Sequence, residues 1–227
     1  NINYYRSGDY FKFGEAKNNH ISRFSVRGNV DVNISEDIKA WVNSSATFYD
    51  SNTAKGNYWN VAATMRPNFP QYANPLIPVD MVDPHAKAAL ELLSVAKLID
   101  GKYFLAGSQA NSSSLFGDVY AAGKSKWTSR QFQFDTGVNI GLGKLLTGLS
   151  FETRFAVDYS TSYTTSFDNS YAVYIPTWSN YNGKDVIVGL KKEGEDKRSG
   201  NQNISGSTDN QTMLFSAQFN YNNTFNN

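Results

Sequence analysis

The fold is set by one segment, Phe24-Ser25-Val26-Arg27-Gly28-Asn29-Val30-Asp31-Val32-Asn33-Ile34, whose residues alternate in character. Its even-numbered positions are apolar or glycine, and its odd-numbered positions carry serine, arginine, asparagine or aspartate. Successive side chains of a β-strand point to opposite faces of the sheet. The alternation therefore predicts a long strand with one apolar face and one polar face.

The same alternation returns along the chain and predicts five strands, near residues 21–34, 38–49, 131–142, 149–160 and 212–222. Each is about twice as long as the usual strand of five or six residues. Short turns follow residues 34 and 142, whereas the connections 50–130 and 160–210 are very long and rich in Asn, Ser, Gly and Tyr. This arrangement is typical of outer-membrane β-barrels, whose tilted strands need about 9–11 residues to cross the hydrocarbon.

The composition excludes several classes of protein. The chain has 227 residues, a net charge of +1 and no cysteine, with 40% hydrophobic and 15% aromatic residues. The lack of cysteine excludes disulfide frameworks and thiolate metal sites, and the near-zero charge offers no basic field for nucleic acid. No apolar run approaches the roughly 20 residues of a membrane-spanning helix. The mean hydropathy of −0.48 still fits a barrel, because half of each strand and the long loops face water.

Two architectures account for the alternation. The first is an antiparallel transmembrane β-barrel with long extracellular loops, and the second is a soluble, secreted or surface-attached β-sandwich that binds carbohydrate. Strand length, the alternation of short and long connections and the polar character of the second face favour the barrel. Since single-chain barrels need at least about eight strands, five strands predict that the chain is part of a longer protein.

One short helix is expected within the first long connection. Asp83 is suited to cap it, Pro84 to its first position and Gly101 to its end. The charged run from Lys191 to Arg198 balances its own signs and predicts a solvated loop tip.

A family resemblance supports the membrane interpretation. The segment Asn19-His20-Ile21-Ser22-Arg23-Phe24-Ser25-Val26-Arg27-Gly28-Asn29-Val30-Asp31 resembles a recurring barrel strand of SusC/RagA-like transporters, the TonB-dependent nutrient importers of Bacteroidetes outer membranes. The strand that follows the turn, Ile38-Lys39-Ala40-Trp41-Val42-Asn43-Ser44-Ser45-Ala46, is also similar to that family. The likeness is best over 19–49, extends through 131–159 and is compositional elsewhere.

The resemblance implies a location, a function and partners. Members are barrels in the bacterial outer membrane that take up glycans or peptides, with a SusD-like surface lipoprotein as a lid and TonB as the source of energy. The chain is then expected to be an internal part of such a barrel, in contact with outer-membrane lipid. Neither a plug nor a TonB box is recognised in it, so TonB is expected to act through a region outside this chain.

The candidate ligand-binding residues are aromatic side chains of the two long connections. Aromatic faces stack on sugar rings and on peptides, and neighbouring asparagines supply both donors and acceptors. An alternative role is to pack the loops against each other or against a lid protein. The candidates are Tyr58, Trp59, Tyr72, Trp178 and Tyr181.

Catalysis, cofactors and metals are not expected. Only His20 and His85 offer imidazole chemistry, and no histidine or carboxylate cluster has the spacing of a metal site. Glu152 and Asp158 alternate with Arg154 on one strand face. Charged residues arranged in this way more often form a structural ladder than a general acid and base. The chain is therefore predicted not to be an enzyme.

Overall fold

The computed structural model describes residues 1–8, 12–15, 17, 19–55, 74–110 and 112–224. Two helices occur among these residues, α1 (Lys87–Ser94) and α2 (Leu115–Tyr120), together with a 3₁₀ turn at Val79–Met81. The remaining regular elements are strands: β1 (Ile2–Arg6), β2 (His20–Asn33), β3 (Ile38–Ala54), β4 (Leu76–Pro78), β5 (Tyr103–Leu105), β6 (Gly123–Gly141), β7 (Leu149–Asp168), β8 (Val173–Tyr181), β9 (Lys184–Glu193) and β10 (Asn203–Tyr221).

Six strands form one antiparallel sheet, the main sheet, in the order β1-β2-β3-β6-β7-β10. Its register aligns the predicted apolar positions. Val30 lies opposite Val42, and the same row continues across the sheet through Thr136, Phe155 and Phe215. The predicted antiparallel, mostly β fold is confirmed.

The strands extend beyond the predicted ranges at the end where the long connections begin. β3 continues to Ala54, β6 begins at Gly123, β7 runs to Asp168, and β10 begins at Asn203. Polar residues occupy much of these extensions, so hydrophobic alternation fades there while the backbone ladder continues. The main sheet also gains a strand, Ile2–Arg6, which pairs with β2.

The long connections are not structureless loops, because together they build a small folded unit. We call this unit the loop lobe, comprising the described residues of 74–122 and 169–202. A parallel bridge joins Val82 to Ile187, and another joins Ala106 to Tyr174. Between these segments lies a hydrophobic core in which Phe104 is 1% exposed. No helix within the described ranges is long and apolar enough to cross a membrane.

The helix of the first connection differs from the prediction at both ends. Asp83 does not cap it; its Oδ1 accepts the backbone N–H of His85 at 2.8 Å in a turn that precedes the helix. The segment is held there because the Asp83 N–H donates to the Ile187 carbonyl at 2.9 Å. The helix ends at Ser94, and Gly101 (φ 66°) instead forms the tight turn before β5.

Candidate functional site

The polar face of the main sheet contains an open groove of about 570 Å³. Because alternate residues of each strand point to this face, five strands contribute to its lining. The groove therefore combines amide groups with charges of both signs. Among its lining residues are Arg27, Asn29, Asn43, Gln133, Arg154 and Asp158.

Asp135 of β6 organises the centre of this groove. Its Oδ1 accepts hydrogen bonds from Trp41 Nε1 at 2.9 Å and from Asn43 Nδ2 at 3.3 Å. Its Oδ2 is paired with Arg154 Nε of β7. One carboxylate thus joins side chains from the two strands on either side of it, and it fixes the orientation of the indole and of the guanidinium.

A glycine opposite Trp41 allows the indole to lie against the sheet. Gly137 pairs directly with Trp41 across β3 and β6. A Cβ built on Gly137 falls 2.2 Å from a ring carbon of Trp41 and 2.7 Å from the Thr153 carbonyl oxygen. No larger residue fits at position 137 without moving the ring, so this glycine allows Trp41 to lie flat beside the groove and reach Asp135.

Further polar contacts on this face join side chains of neighbouring strands. Ser45 Oγ donates to Gln133 Oε1 at 3.1 Å, and Asn139 Nδ2 donates to Glu152 Oε2 at 3.4 Å. Glu152 and Asp158 both lie on this face, as expected from their spacing. In the described part of the chain, no group of three or more His, Asp or Glu side chains is placed to hold a metal ion.

The predicted ligand-binding aromatics divide into two groups. Tyr58, Trp59 and Tyr72 lie outside the described residues. Trp178 and Tyr181 both belong to β8 and are 46% and 71% exposed. Their spacing of three residues places them on opposite faces of the β8–β9 hairpin. The structure therefore leaves both rings accessible but does not combine them into one stacking surface.

Comparisons with known proteins add no relative. The chain matches no family model, no curated protein and no solved structure. Its functional assignment consequently depends on the chemistry and geometry of its own residues.

A partly buried polar contact ties the two long connections together within the loop lobe. The Tyr171 hydroxyl donates to Asp118 Oδ1 at 2.6 Å and accepts the backbone N–H of Ser114 at 3.1 Å. Burial and the neighbouring Asp118 carboxylate raise the pKa of Tyr171 well above its ordinary value. The side chain of Ser114, which is fully buried, caps α2 by accepting the Gly117 N–H at 3.2 Å.

Sequence reasoning missed a charged group on the apolar face, at the end of the main sheet next to the loop lobe. We call it the rim cluster: Asp50, Lys126, Thr128 and Arg130. Arg130 Nη2 contacts both Asp50 carboxylate oxygens at 3.1 Å, while its Nη1 donates to the backbone carbonyls of Tyr49 and Ser129. Lys126 Nζ lies 3.2 Å from Asp50 Oδ1. The basic residues at even positions, Lys124, Lys126 and Arg130, could have indicated this cluster, because they continue the alternation of the strand onto the apolar face.

Proposed function

We propose that this chain forms part of the wall of an outer-membrane β-barrel importer of the SusC/RagA-like type. In this proposal the apolar face of the main sheet contacts lipid and the polar face lines the lumen. The loop lobe lies on the outer side, where it meets oligosaccharide or peptide substrates and a SusD-like lipoprotein. TonB supplies energy through a part of the assembly outside these strands.

One observation carries the proposal: the apolar face is exposed over a height close to that of a bilayer core. Val30 is 56% exposed and Phe215 is 72% exposed. Along β3 the apolar face runs from Ile38 to Phe48, which corresponds to about 33 Å of strand at 3.3 Å per residue. A strand tilt of about 40° reduces this length to a band about 25 Å tall, the height of the lipid-facing band of such barrels.

The location of the buried core also supports a membrane sheet. Among the described residues, Ala54 at the end of β3 is the only buried hydrophobic side chain in the main sheet. The other buried hydrophobic side chains belong to the loop lobe. A water-soluble sheet stabilises itself by burying one face, whereas a barrel strand buries its apolar face in lipid.

The edges of the main sheet fit the same proposal. β10 is a long strand of 19 residues at one edge of the main sheet. No described strand pairs with its outer side. Backbone groups at such an edge need partners when the strand lies in lipid, and closure of a barrel supplies them. We therefore propose that β10 pairs with a further barrel strand.

The alternative, a soluble carbohydrate-binding sandwich, requires a second layer over the apolar face. No described helix or sheet lies over that face, where Val30, Val42 and Phe132 remain exposed. The opposite orientations of Trp178 and Tyr181 also do not favour a shared sugar-binding platform. The barrel therefore explains the exposed apolar face, which the sandwich does not.

Cell fractionation tests the location, and uptake tests the function. In its own host, the protein is expected in the outer-membrane pellet after a carbonate wash, with release only by detergent. Deletion of its coding sequence should abolish uptake of at least one member of a panel of fluorescent oligosaccharides and peptides. Recovery in the detergent-free soluble extract contradicts the barrel, and unchanged uptake across the panel contradicts the importer.

A further inference from the structure

We propose that the rim cluster binds the phosphate of an anionic lipid headgroup in the leaflet next to the loop lobe. This inference rests on the proposed membrane function and adds a ligand class to it. The site is the point where the exposed apolar face ends and charged side chains begin.

The height of the cluster matches the headgroup layer. Arg130 pairs with Phe48, the last aromatic residue of the apolar face on β3, and its guanidinium lies 5.6 Å from the Phe48 ring centroid. Lys126 reaches back toward this row, because its Nζ contacts Asp50. Asp50 is two residues beyond Phe48, or about 5 Å higher in a strand tilted by about 40°. Headgroups occupy roughly the first 5–7 Å outside the hydrocarbon core.

The charge of this face differs between its two ends. At the end next to the loop lobe, the strand register places four basic residues and two acidic residues on the apolar side. The tight turns at the opposite end carry Glu36, Asp37 and Lys144. Anionic headgroups are therefore attracted to one end of the face only. The six residues of the basic end are Arg6, Lys124, Lys126, Arg130, Asp50 and Asp209.

Arg130 keeps the lysine charge available. Its Nη2 contacts both Asp50 oxygens and neutralises that carboxylate, and its two backbone contacts hold the guanidinium in place. Without Arg130, the carboxylate of Asp50 alone cancels the charge of Lys126. The side chain of Lys126 is 45% exposed, so its ammonium can contact a phosphate while its methylene stem lies along the sheet. Arg130 is thus a positioning residue, and Lys126 is the phosphate ligand.

The test compares two lipids around the intact protein in nanodiscs. Spin-labelled phosphatidylglycerol and phosphatidylcholine report the relative association of an anionic and a zwitterionic headgroup with the protein surface. Wild type should prefer phosphatidylglycerol, and Lys126→Gln should reduce this preference about five-fold, the contribution of one basic residue near an anionic membrane surface. Asp50→Asn should increase the preference, since it removes the competing carboxylate. The matched control is Lys39→Gln on the polar face of β3, which should leave the preference unchanged.

The outcomes separate this inference from the proposed function. If the protein enters bilayers but shows equal association with both lipids in wild type, Lys126→Gln and Asp50→Asn, the headgroup site is wrong and the barrel stands. If inorganic phosphate abolishes the preference while chloride at equal ionic strength does not, the cluster binds free phosphate and not lipid. If the protein does not insert into the nanodisc bilayer, the proposed membrane function fails, and this inference fails with it.

Discussion

An arginine on the apolar face provides a quantitative test of what surrounds the main sheet. Val30 lies in the middle of the apolar band, opposite Val42, and is 56% exposed. At the bilayer midplane, Val30→Arg should destabilise the folded protein by about 2–4 kcal/mol, and Ile34→Arg, at the edge of the band, by about 0–1 kcal/mol. The same substitutions on a surface in water should change stability by no more than about 0.5 kcal/mol.

The assay is equilibrium unfolding by urea from lipid vesicles, followed by tryptophan fluorescence. Asn29→Arg is the matched control, because Asn29 neighbours Val30 on β2 and faces the groove. It should leave the free energy of unfolding within about 0.5 kcal/mol of wild type. A lipid-facing position for Val30 is contradicted if Val30→Arg and Asn29→Arg change the free energy of unfolding equally, or if Ile34→Arg destabilises as much as Val30→Arg.

Three further changes probe the groove and the loop lobe. Gly137→Ala should destabilise the sheet by about 1–3 kcal/mol and shift the fluorescence of Trp41 to longer wavelength, since the added Cβ meets the indole at 2.2 Å. Phe104→Ala should cost the loop lobe about 3–5 kcal/mol, seen as faster proteolysis of the lobe. Tyr171 contributes stability that is complete below about pH 10, the pKa of an unfolded tyrosine, and is lost at higher pH because its folded-state pKa is raised. Tyr171→Phe should reduce the alkaline decline seen in near-ultraviolet circular dichroism, and Tyr174, whose pKa burial also raises, accounts for part of what is left.

Each of these changes has a control within the chain. Gly28→Ala is the control for replacing a strand glycine where no atom is crowded, since a Cβ built on Gly28 lies 4.0 Å from Ser44 Oγ. Val95→Ala removes a side chain that is 82% exposed and should not alter proteolysis. Tyr181→Phe leaves the buried contacts intact and should keep the alkaline decline. Unchanged fluorescence in Gly137→Ala, unchanged proteolysis in Phe104→Ala, or a full alkaline decline in Tyr171→Phe contradicts the corresponding contact.

The faces of the main sheet were predictable from sequence, because the repeat of a strand is local. Once Val30 and Val42 are assigned to the apolar faces of their strands, a register shifted by one residue would place one of them among polar side chains. The observed register places them opposite each other and extends the match to Phe155. The polar groove follows from the same rule, since the residues between the apolar positions must share the other face.

The loop lobe was not predictable in the same way, because its contacts are long-range. Nothing local to Val82 indicates that it will bridge to Ile187, about a hundred residues later in the chain. The same bridge explains why Asp83 forms a turn and not a cap: its backbone N–H is already bound to the Ile187 carbonyl. Tertiary contacts therefore overrode a reasonable capping signal.

The candidate site shows both situations. Asp158 and Glu152 fell on the predicted face, yet the close contact of Trp41 with Gly137 depends on the pairing of β3 with β6, which lie 94 to 98 residues apart along the chain at this point. Likewise, Lys126 and Arg130 form a cluster because the pairing of β3 with β6 brings Asp50 into contact with both. Sequence supplied the residue types, and the strand order determined which of them meet.

A single-cysteine scan of residues 24–34 in the membrane-embedded protein tests most directly whether one face of the main sheet contacts lipid. The chain contains no cysteine, so each label reports one position. We predict that lipid-phase quenchers reach labels at even positions such as Val26 and Val32, and that water-soluble quenchers reach labels at Asn29 and Asp31. Equal access of the water-soluble quencher to both sets, with no period of two along β2, contradicts a sheet that has lipid on one face and water on the other.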